Sequence, residues 1–484
     1  MNVSFNFDNS YVRLPNVLYT RINPFPAPEP KVVIINHALA QELGMDLKHA
    51  SNGALASLFS GSSLPEGAES LALAYAGHQF GHFTMLGDGR AHLIGEHITP
   101  DGKRLDIQLK GSGRTPYARR GDGRATLGAM LREYIISEAM YHLGIPTTRS
   151  LMVVTTGEPV YREKILKGAV MTRVASSHLR VGTFEYLTAY KNIEHLKQLT
   201  DYTINRHYPE LKESDTRYPD LVKAVMQRQI TLIVEWLRVG FIHGVMNTDN
   251  MSISGETIDY GPCAFMDKYD PNTVFSSIDR MGRYAYANQH EIAKWNIARF
   301  AESILPLLHD DIEHAAILCE KIIDSFNDIF QKEWLMMMRR KLGLFGGQDN
   351  DAALIEDLLI WMTKHEADYT NTFRTLISNT IPTGIHYDKE EFQNWWHRWQ
   401  TRLKENSEPL KSSLCLMRSS NPAIIPRNHK VEQALQTAEK DSDFSKLNTL
   451  LDALSEPYKD NTQFTEFERP PKLEECVLQT FCGT

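Results

Sequence analysis

Several side chains in this sequence could handle phosphates and a metal ion together. In "HGVMNTDNMSISGETIDYGPCAFMD" (243–267), Asn250 and Asp259 offer an amide oxygen and a carboxylate. Both are hard oxygen donors of the kind that suit Mg²⁺ already carrying phosphates. Asp249, next to Asn250, is a carboxylate that could take a proton from an attacking hydroxyl. Lys110 closes "RLDIQLKG" (104–111), in which Leu105, Ile107 and Leu109 alternate with Asp106, Gln108 and Lys110. A strand with that alternation carries its lysine on the face opposite the apolar one. Glu133 lies at the edge of the apolar stripe of a helix predicted over 122–143 and could reach back to Lys110. Taken alone, an ordinary surface lysine and glutamate is the plain alternative.

Positive charge gathers nearby. "KGSGRTPYARRGDGR" (110–124) holds Lys110, Arg114, Arg119, Arg120 and Arg124, and "MTRVASSHLR" (171–180) adds Arg173 and Arg180. Guanidinium forks match phosphate oxygens, although solvated loop arginines would look the same in sequence. Upstream, "YAGHQFGHFTMLGDGRAHLIGE" (75–96) places Gly77, Gly81, Gly87 and Gly89 around a hairpin. Glycines there would admit a close phosphate, but any tight hairpin also wants them. His78 and His82 have the spacing of a helical metal pair, yet no helix and no third ligand is expected, so packed or turn-bonded histidines are the better reading.

The order of these pieces is that of a kinase: strand lysine, helix glutamate, loop His and Asn, then an acidic Asp-Tyr-Gly. One letter is missing. Two positions after His243, where a kinase keeps its Asp, stands Val245, which can neither accept nor orient a proton. The residues leave three readings open. They are a scaffold that binds nucleotide without catalysis, a small-molecule phosphotransferase of the aminoglycoside-kinase type, and an enzyme whose base has moved to Asp249.

The elements that must position these residues follow from periodicity. The segments 91–98 and 104–111 read as strands joined at Asp101-Gly102, a hairpin-turn pair. Leu127, Met130, Leu131, Tyr134, Ile135 and Ala139 recur at helical spacing and are stopped by Gly144-Ile145-Pro146. "SLMVVTT" and "GAVMTRVA" read as strands about a turn near Gly157, "MSISGETI" as strand-like, and 219–239 as a helix. Residues 1–70 read as an irregular extension with short helices, and the chain beyond 290 as almost wholly helical. Trp395, Trp396 and Trp399 anchor one of those helices in the core. The fold class is therefore α+β, with two lobes.

Composition excludes other classes. The 484 residues carry a net charge of −8 with 42% hydrophobic and 23% charged residues, the balance of a globular protein without the basic excess that nucleic acid requires. No stretch reaches the length and apolarity of a membrane span, and no secretory signal opens the chain. Five scattered cysteines suit a reducing compartment, so a cytoplasmic protein is expected, monomeric by default for want of a coiled-coil seam.

With these residues assembled, the sequence resembles the selenoprotein O family, protein adenylyltransferases built on a kinase-like (pseudokinase) fold. "GDGRAHLIGE", "DIQLKGSGRTPYARRGDGRATL", "HGVMNTDNMSISGETIDYGPCAFMD" and "NPAIIPRNH" carry the resemblance, which runs across essentially the whole chain. It implies a two-lobed kinase-like fold with an N-terminal extension (1–70), a small lobe (71–182), a large lobe (183–330) and a helical C-terminal region (331–484). It implies transfer of AMP from ATP, bound end for end relative to a kinase, to Ser, Thr or Tyr hydroxyls of proteins, with pyrophosphate released. Gly87, Gly89, Arg90, Lys110, Asp122, Gly123, Arg173, Arg180 and Asp259 would then bind ATP. Asn250 and Asp259 would hold Mg²⁺, with Mn²⁺ as the alternative metal, Asp249 would be the base, and Glu133 would pair with Lys110. Some members carry selenocysteine third from the end, where this chain has Cys482. The family's terminal residue is thought to form a redox latch with a second cysteine, for which Cys263 is one candidate.

Overall fold

The alternation read on either side of Asp101-Gly102 folds as a central hairpin of an eight-stranded antiparallel sheet in the computed structural model, which describes residues 3–384 and 387–481. In chain order the first strands are Tyr19–Arg21 (β1), Lys31–Ile35 (β2) and Leu71–Leu73 (β3), followed by a separate small hairpin of Ala76–Gln79 (β4) and His82–Met85 (β5). Then come Ala91–Ile98 (β6), Arg104–Lys110 (β7), Ala125–Thr126 (β8), Arg149–Tyr161 (β9) and Ile165–Ala175 (β10). The sheet runs β1-β3-β6-β7-β10-β9-β2, with β8 paired to β10. Two of its strands come from the 1–70 segment, so that segment is part of the sheet and not only an irregular extension.

One face of the sheet is apolar. Ile94, Ile107, Leu109, Val154, Val170 and Val174 pack with Leu39, Leu55 and Phe59 of helices His37–Glu42 (α1) and Asn52–Phe59 (α2). The other face of β7 presents Asp106, Gln108 and Lys110, and Lys110 reaches helix Leu127–His142 (α3). That helix begins five residues later than its periodicity suggests. Thr126 caps it, its Oγ1 accepting from Ala129 N at 3.3 Å, because Ala125 and Thr126 are drawn into pairing with β10.

Two further expectations are corrected. The β9–β10 turn lies at 162–164, where Arg162 N donates to Lys164 O, and Gly157 sits inside β9 at φ +78°. Glu29 occupies the space a Gly157 side chain would need, so the glycine marks a close approach of chain and not a turn. Residues 251–258 form no strand. Their backbone pairing is limited to isolated bridges, Val181 N donating to Met251 O and Thr148 N to Thr257 O, both at 3.0 Å. Side chains take other carbonyls, Gln229 Nε2 donating to Ser252 O and Tyr208 OH to Ile253 O, both at 2.7 Å.

Helices Val181–Ala189 (α4), Ile193–His207 (α5), Arg217–Val239 (α6) and Gln289–Ser303 (α7) follow, and the chain beyond α7 is helical with short connectors. Gly240, left-handed at φ +76°, ends α6 and turns the chain into Phe241–Ile242 (β11). Strand β11 pairs with Ala264–Phe265 (β12), so the two clamp the segment 243–263 at both ends. Trp395, Trp396 and Trp399 are buried in helix Glu390–Lys404 as expected. No helix among the described residues is long and apolar enough to cross a membrane.

Candidate active site

A cleft of about 1040 Å³ opens between the sheet's polar face, the 111–124 loop and the 243–263 segment. Gly87, Gly89, Arg90, Lys110, Asp122, Gly123, Arg173, Arg180, Asp249, Asn250 and Asp259 all line it. Glu133 stands behind them, buried on α3. Lys110 Nζ donates to Glu133 Oε2 and to Asp259 Oδ1, each at 2.6 Å. Arg173, one strand over on β10, donates to the same two carboxylates, at 2.6 Å to Asp259 Oδ1. Arg180 approaches Asp259 Oδ2 at 3.6 Å and Asp88 Oδ1 at 3.8 Å, its guanidinium over the Tyr75 ring. Three cations thus face three carboxylates, and this balance is what allows the group to be buried. Burial pushes the carboxyls of Glu133 and Asp259 up, but Arg173 and Lys110 outweigh it in both, and Asp259 ends well below the usual range.

Asp249 has the opposite fate. It occupies a single 3₁₀ turn, Thr248–Asn250, whose position a ring of hydrogen bonds secures. His78 N donates to Thr248 Oγ1 (2.7 Å), Thr248 Oγ1 donates to Glu185 Oε2 (2.6 Å), and Glu185 Oε1 meets His78 Nδ1 (2.6 Å). The Asp249 carboxylate lies against the Cα of Gly77, where a side chain would come within 2.2 Å of Oδ1. That oxygen is buried and has no hydrogen-bond partner among the described residues. Burial, only partly offset by Arg180, pushes its carboxyl up to about 7. Val245 lines the same cleft, so no proton acceptor stands where a kinase keeps one. His243 is fully buried, its Nε2 against Ile258 O at 2.9 Å and its ring stacked on Trp236, and it serves the backbone.

The remaining expected residues lie at the rim or have packing reasons for their type. Asp122 is on the exposed loop and pairs with Arg162 at 2.7 Å. Gly123, at φ +73°, leaves no room for a side chain beside Arg114 N. The glycines at 87 and 89 admit Tyr117 and Ala118, which pack where their side chains would stand. His78 and His82 sit on the β4–β5 hairpin and form no metal pair, His78 being bound to Glu185 and His82 exposed. Cys482 lies outside the described residues; Cys263 is buried, and burial pushes its thiol up to about 12. Asp88, Gln108, Tyr75 and Asn247 line the cleft without having been singled out in the sequence. The signal for Gln108 was there, since it shares the polar face of β7 with Lys110.

Among the described residues, no three His, Cys, Asp or Glu side chains converge into a metal cage. A phosphate-borne Mg²⁺ needs only one or two protein oxygens, the rest coming from substrate and water. Asn250 Nδ2 donates to Val245 O at 3.0 Å, which commits the amide nitrogen and turns the oxygen to other use. Asp259 engages two cations through Oδ1 and holds Oδ2 at the longer 3.6 Å from Arg180. This pair of oxygens fits such an ion.

Residues 1–455 match the family model described as protein adenylyltransferase SelO. The chain is 66% identical over 483 residues to the protein nucleotidyltransferase YdiU of Nitrosococcus oceani, covering 100% of this chain and 98% of that protein. It is 57% identical over 480 residues to the protein of the same name from Syntrophotalea carbinolica, covering 99% and 98%. To that of Bacillus thuringiensis it is 56% identical over 482 residues, covering 100% and 99%.

Proposed function

The chain belongs to the SelO family of protein adenylyltransferases and is a protein nucleotidyltransferase, and from that premise we propose that it transfers AMP from a reversed ATP to Ser, Thr or Tyr hydroxyls of proteins. The fold is read as kinase-like, with an extension (1–70), a small lobe (71–182), a large lobe (183–330) and a helical C-terminal region (331–484). The observation that carries the reversed orientation is the cation trio. Lys110, Arg173 and Arg180 are 8%, 1% and 3% exposed, so the innermost wall of the cleft is built for the triphosphate tail. A kinase pose would also bring phosphate to Lys110, so the discriminating cations are Arg173 and Arg180, two buried guanidinium groups that such a pose would leave facing a neutral ring.

In this reading Lys110, Arg173 and Arg180 bind the β- and γ-phosphates, and Glu133 fixes Lys110 and Arg173. Gly87, Gly89, Arg90, Asp122 and Gly123 complete the nucleotide site. Asn250 and Asp259 hold Mg²⁺ (or Mn²⁺), which neutralises phosphate charge when bound. The acceptor oxygen attacks the α-phosphorus as its proton passes to Asp249. The bond to the bridging oxygen breaks, and its electron pair leaves with pyrophosphate, stabilised by the arginines. A base poised near neutrality is suited to this task. We place the enzyme in the cytoplasm, in keeping with the free thiols of Cys263, Cys319, Cys415 and Cys476. A latch between Cys482 and Cys263 remains an expectation from the family resemblance.

Labelling decides between the readings. The protein is incubated with Mg²⁺ and ATP labelled at either the α- or the γ-phosphate, together with a protein acceptor. Retention of the α label alone is expected. Retention of the γ label would make it a phosphotransferase, and retention of neither, a scaffold.

A further inference from the structure

Linked through Asn247 to the loop that carries Asp249 stands a cation that the chemistry above does not use. The guanidinium of Arg283 lies 5.0 Å from the Trp295 ring centroid and 5.8 Å from that of Tyr284. Its third side rests on Gly81 at the tip of the β4–β5 hairpin, where a side chain would meet Cζ, Nη2 and Nη1 of the guanidinium at 3.8–3.9 Å. No carboxylate among the described residues pairs with it, and its Nε is buried without a partner. The nearest acid in sequence, Asp279, is already spent: its oxygens accept from the backbone N–H groups of Arg283 (2.9 Å) and Tyr284 (2.7 Å). The mount is joined to the catalytic loop, since Tyr284 OH and Phe80 N both donate to Asn247 Oδ1, at 2.6 and 3.0 Å. On the same hairpin Phe83 and Met85 are exposed, as is Met281 two positions before Arg283.

An arginine stacked on an indole and held rigid without an anion is an acceptor-reading group in waiting, because its fork matches a carboxylate. The chain as a whole is acidic, with a net charge of −8, so an acidic polypeptide needs a local cation to hold it. We infer that Arg283 and its aromatic mount form the docking point for the acceptor polypeptide and select an Asp or Glu close to the modified hydroxyl. The hairpin supplies the ruler. Gly77 touches Asp249 and Gly81 touches Arg283, four residues apart along one strand and its turn. At about 3.3 Å per residue they are separated by at most roughly 13 Å. An extended acceptor with its hydroxyl at Asp249 therefore brings a residue no more than about four positions away onto Arg283.

The inference rests on the AMP-transfer reading, so its test has a readout that does not need transfer. Fluorescently labelled peptides with a single central Tyr in a neutral background, and a Glu at one of the four positions on either side, are titrated against the full chain by anisotropy. The same peptides are then offered with Mg²⁺ and α-labelled ATP. One or two Glu positions on one side of the Tyr should bind about tenfold more tightly than the neutral peptide, in line with one charge-assisted pair. Arg283→Gln should erase that difference, and Arg283→Glu should transfer the preference to peptides with Lys at the same position. Nucleotide affinity should not follow either change. Equal binding of all peptides by the unaltered chain overturns the inference, as does a loss of ATP affinity in Arg283→Gln. A preference in binding accompanied by γ-label transfer would support the docking point and sink the AMP-transfer reading alone.

Discussion

A carboxylate with one oxygen pressed on a glycine Cα and no hydrogen bond to it, as in Asp249, costs stability whenever it is ionised. Its folded value of about 7 against an ordinary 3.8 makes the sign definite. The cost is absent below the ordinary value, grows as pH rises between the two, and is complete above 7, where the gap corresponds to roughly 4 kcal/mol. Asp249→Asn should therefore be more stable than the parent by the full margin at pH 8 and by only about 1 kcal/mol at pH 4.5, as read by thermal melting without nucleotide. The same substitution should slow AMP transfer by roughly 10²- to 10⁴-fold, the usual worth of a general base, with ATP affinity retained. An equal melting difference at both pH values would mean that the carboxyl is not strained, and undiminished turnover that it is not the base. A residue that is destabilising where it sits yet kept in reach of the nucleotide is what a trade of stability for function produces.

At the scale of elements, the turn that carries Asp249 is only as well placed as the hairpin above it. Strand β4 can approach Thr248–Asn250 because residue 77 has no side chain, and the His78–Glu185–Thr248 ring then ties hairpin, turn and α4 together. Gly77→Ala puts a methyl group 2.2 Å from Asp249 Oδ1 and 2.8 Å from its Cγ, so the turn or the hairpin must move. A fall in kcat of at least about 100-fold is expected, with a stability loss of about 1–3 kcal/mol and ATP affinity nearly unchanged. Binding should survive because Lys110, Arg173 and Arg180 belong to other elements, and a variant that loses ATP affinity instead would contradict this division of labour. The sequence shows one partner of such contacts and seldom the other. Local periodicity was enough to read the β6–β7 hairpin, the bodies of α3 and α6 and the facing of Lys110 toward Glu133, because each depends on neighbours within a few turns of chain. The start of α3, the bulge at Gly157, the strandless 251–258 segment and strands β1 and β2 depend on partners far along the chain. Gly77 read only as a hairpin glycine for the same reason, and Asp88 was not singled out.

Across the whole molecule, the site draws Lys110 and Arg173 from the sheet, Arg180 from the start of α4, and the proposed base and metal oxygens from the segment between β11 and β12, and the helical C-terminal region braces it. Helix Asn428–Asp441 lays Glu439 on the first turn of α3, where Gly128 N donates to Glu439 Oε1 at 3.1 Å, and pairs Glu432 with Arg132. A carboxylate there suits the positive end of α3 and holds the helix that carries Glu133. Asp259 is then the joint between the two halves: without nucleotide it engages Lys110 and Arg173 together, the cations that the phosphates are to take. ATP alone must displace Asp259 from them, whereas Mg²⁺ gives the freed carboxylate a new partner. Melting in ATP with EDTA should consequently rise far less than in ATP with Mg²⁺, which at a hundredfold excess over Kd adds about 2.7 kcal/mol. Asp259→Ala should lower the nucleotide-free melting temperature, because two buried cations lose a counter-ion, and should abolish AMP transfer. Its decisive effect is on the difference: with no carboxylate to displace and none to receive the metal, ATP should stabilise the variant equally with EDTA or Mg²⁺. If the variant kept the parent's Mg²⁺-dependent increment, Asp259 would be a purely structural partner of Lys110 and Arg173, and the metal would have to be held by other oxygens.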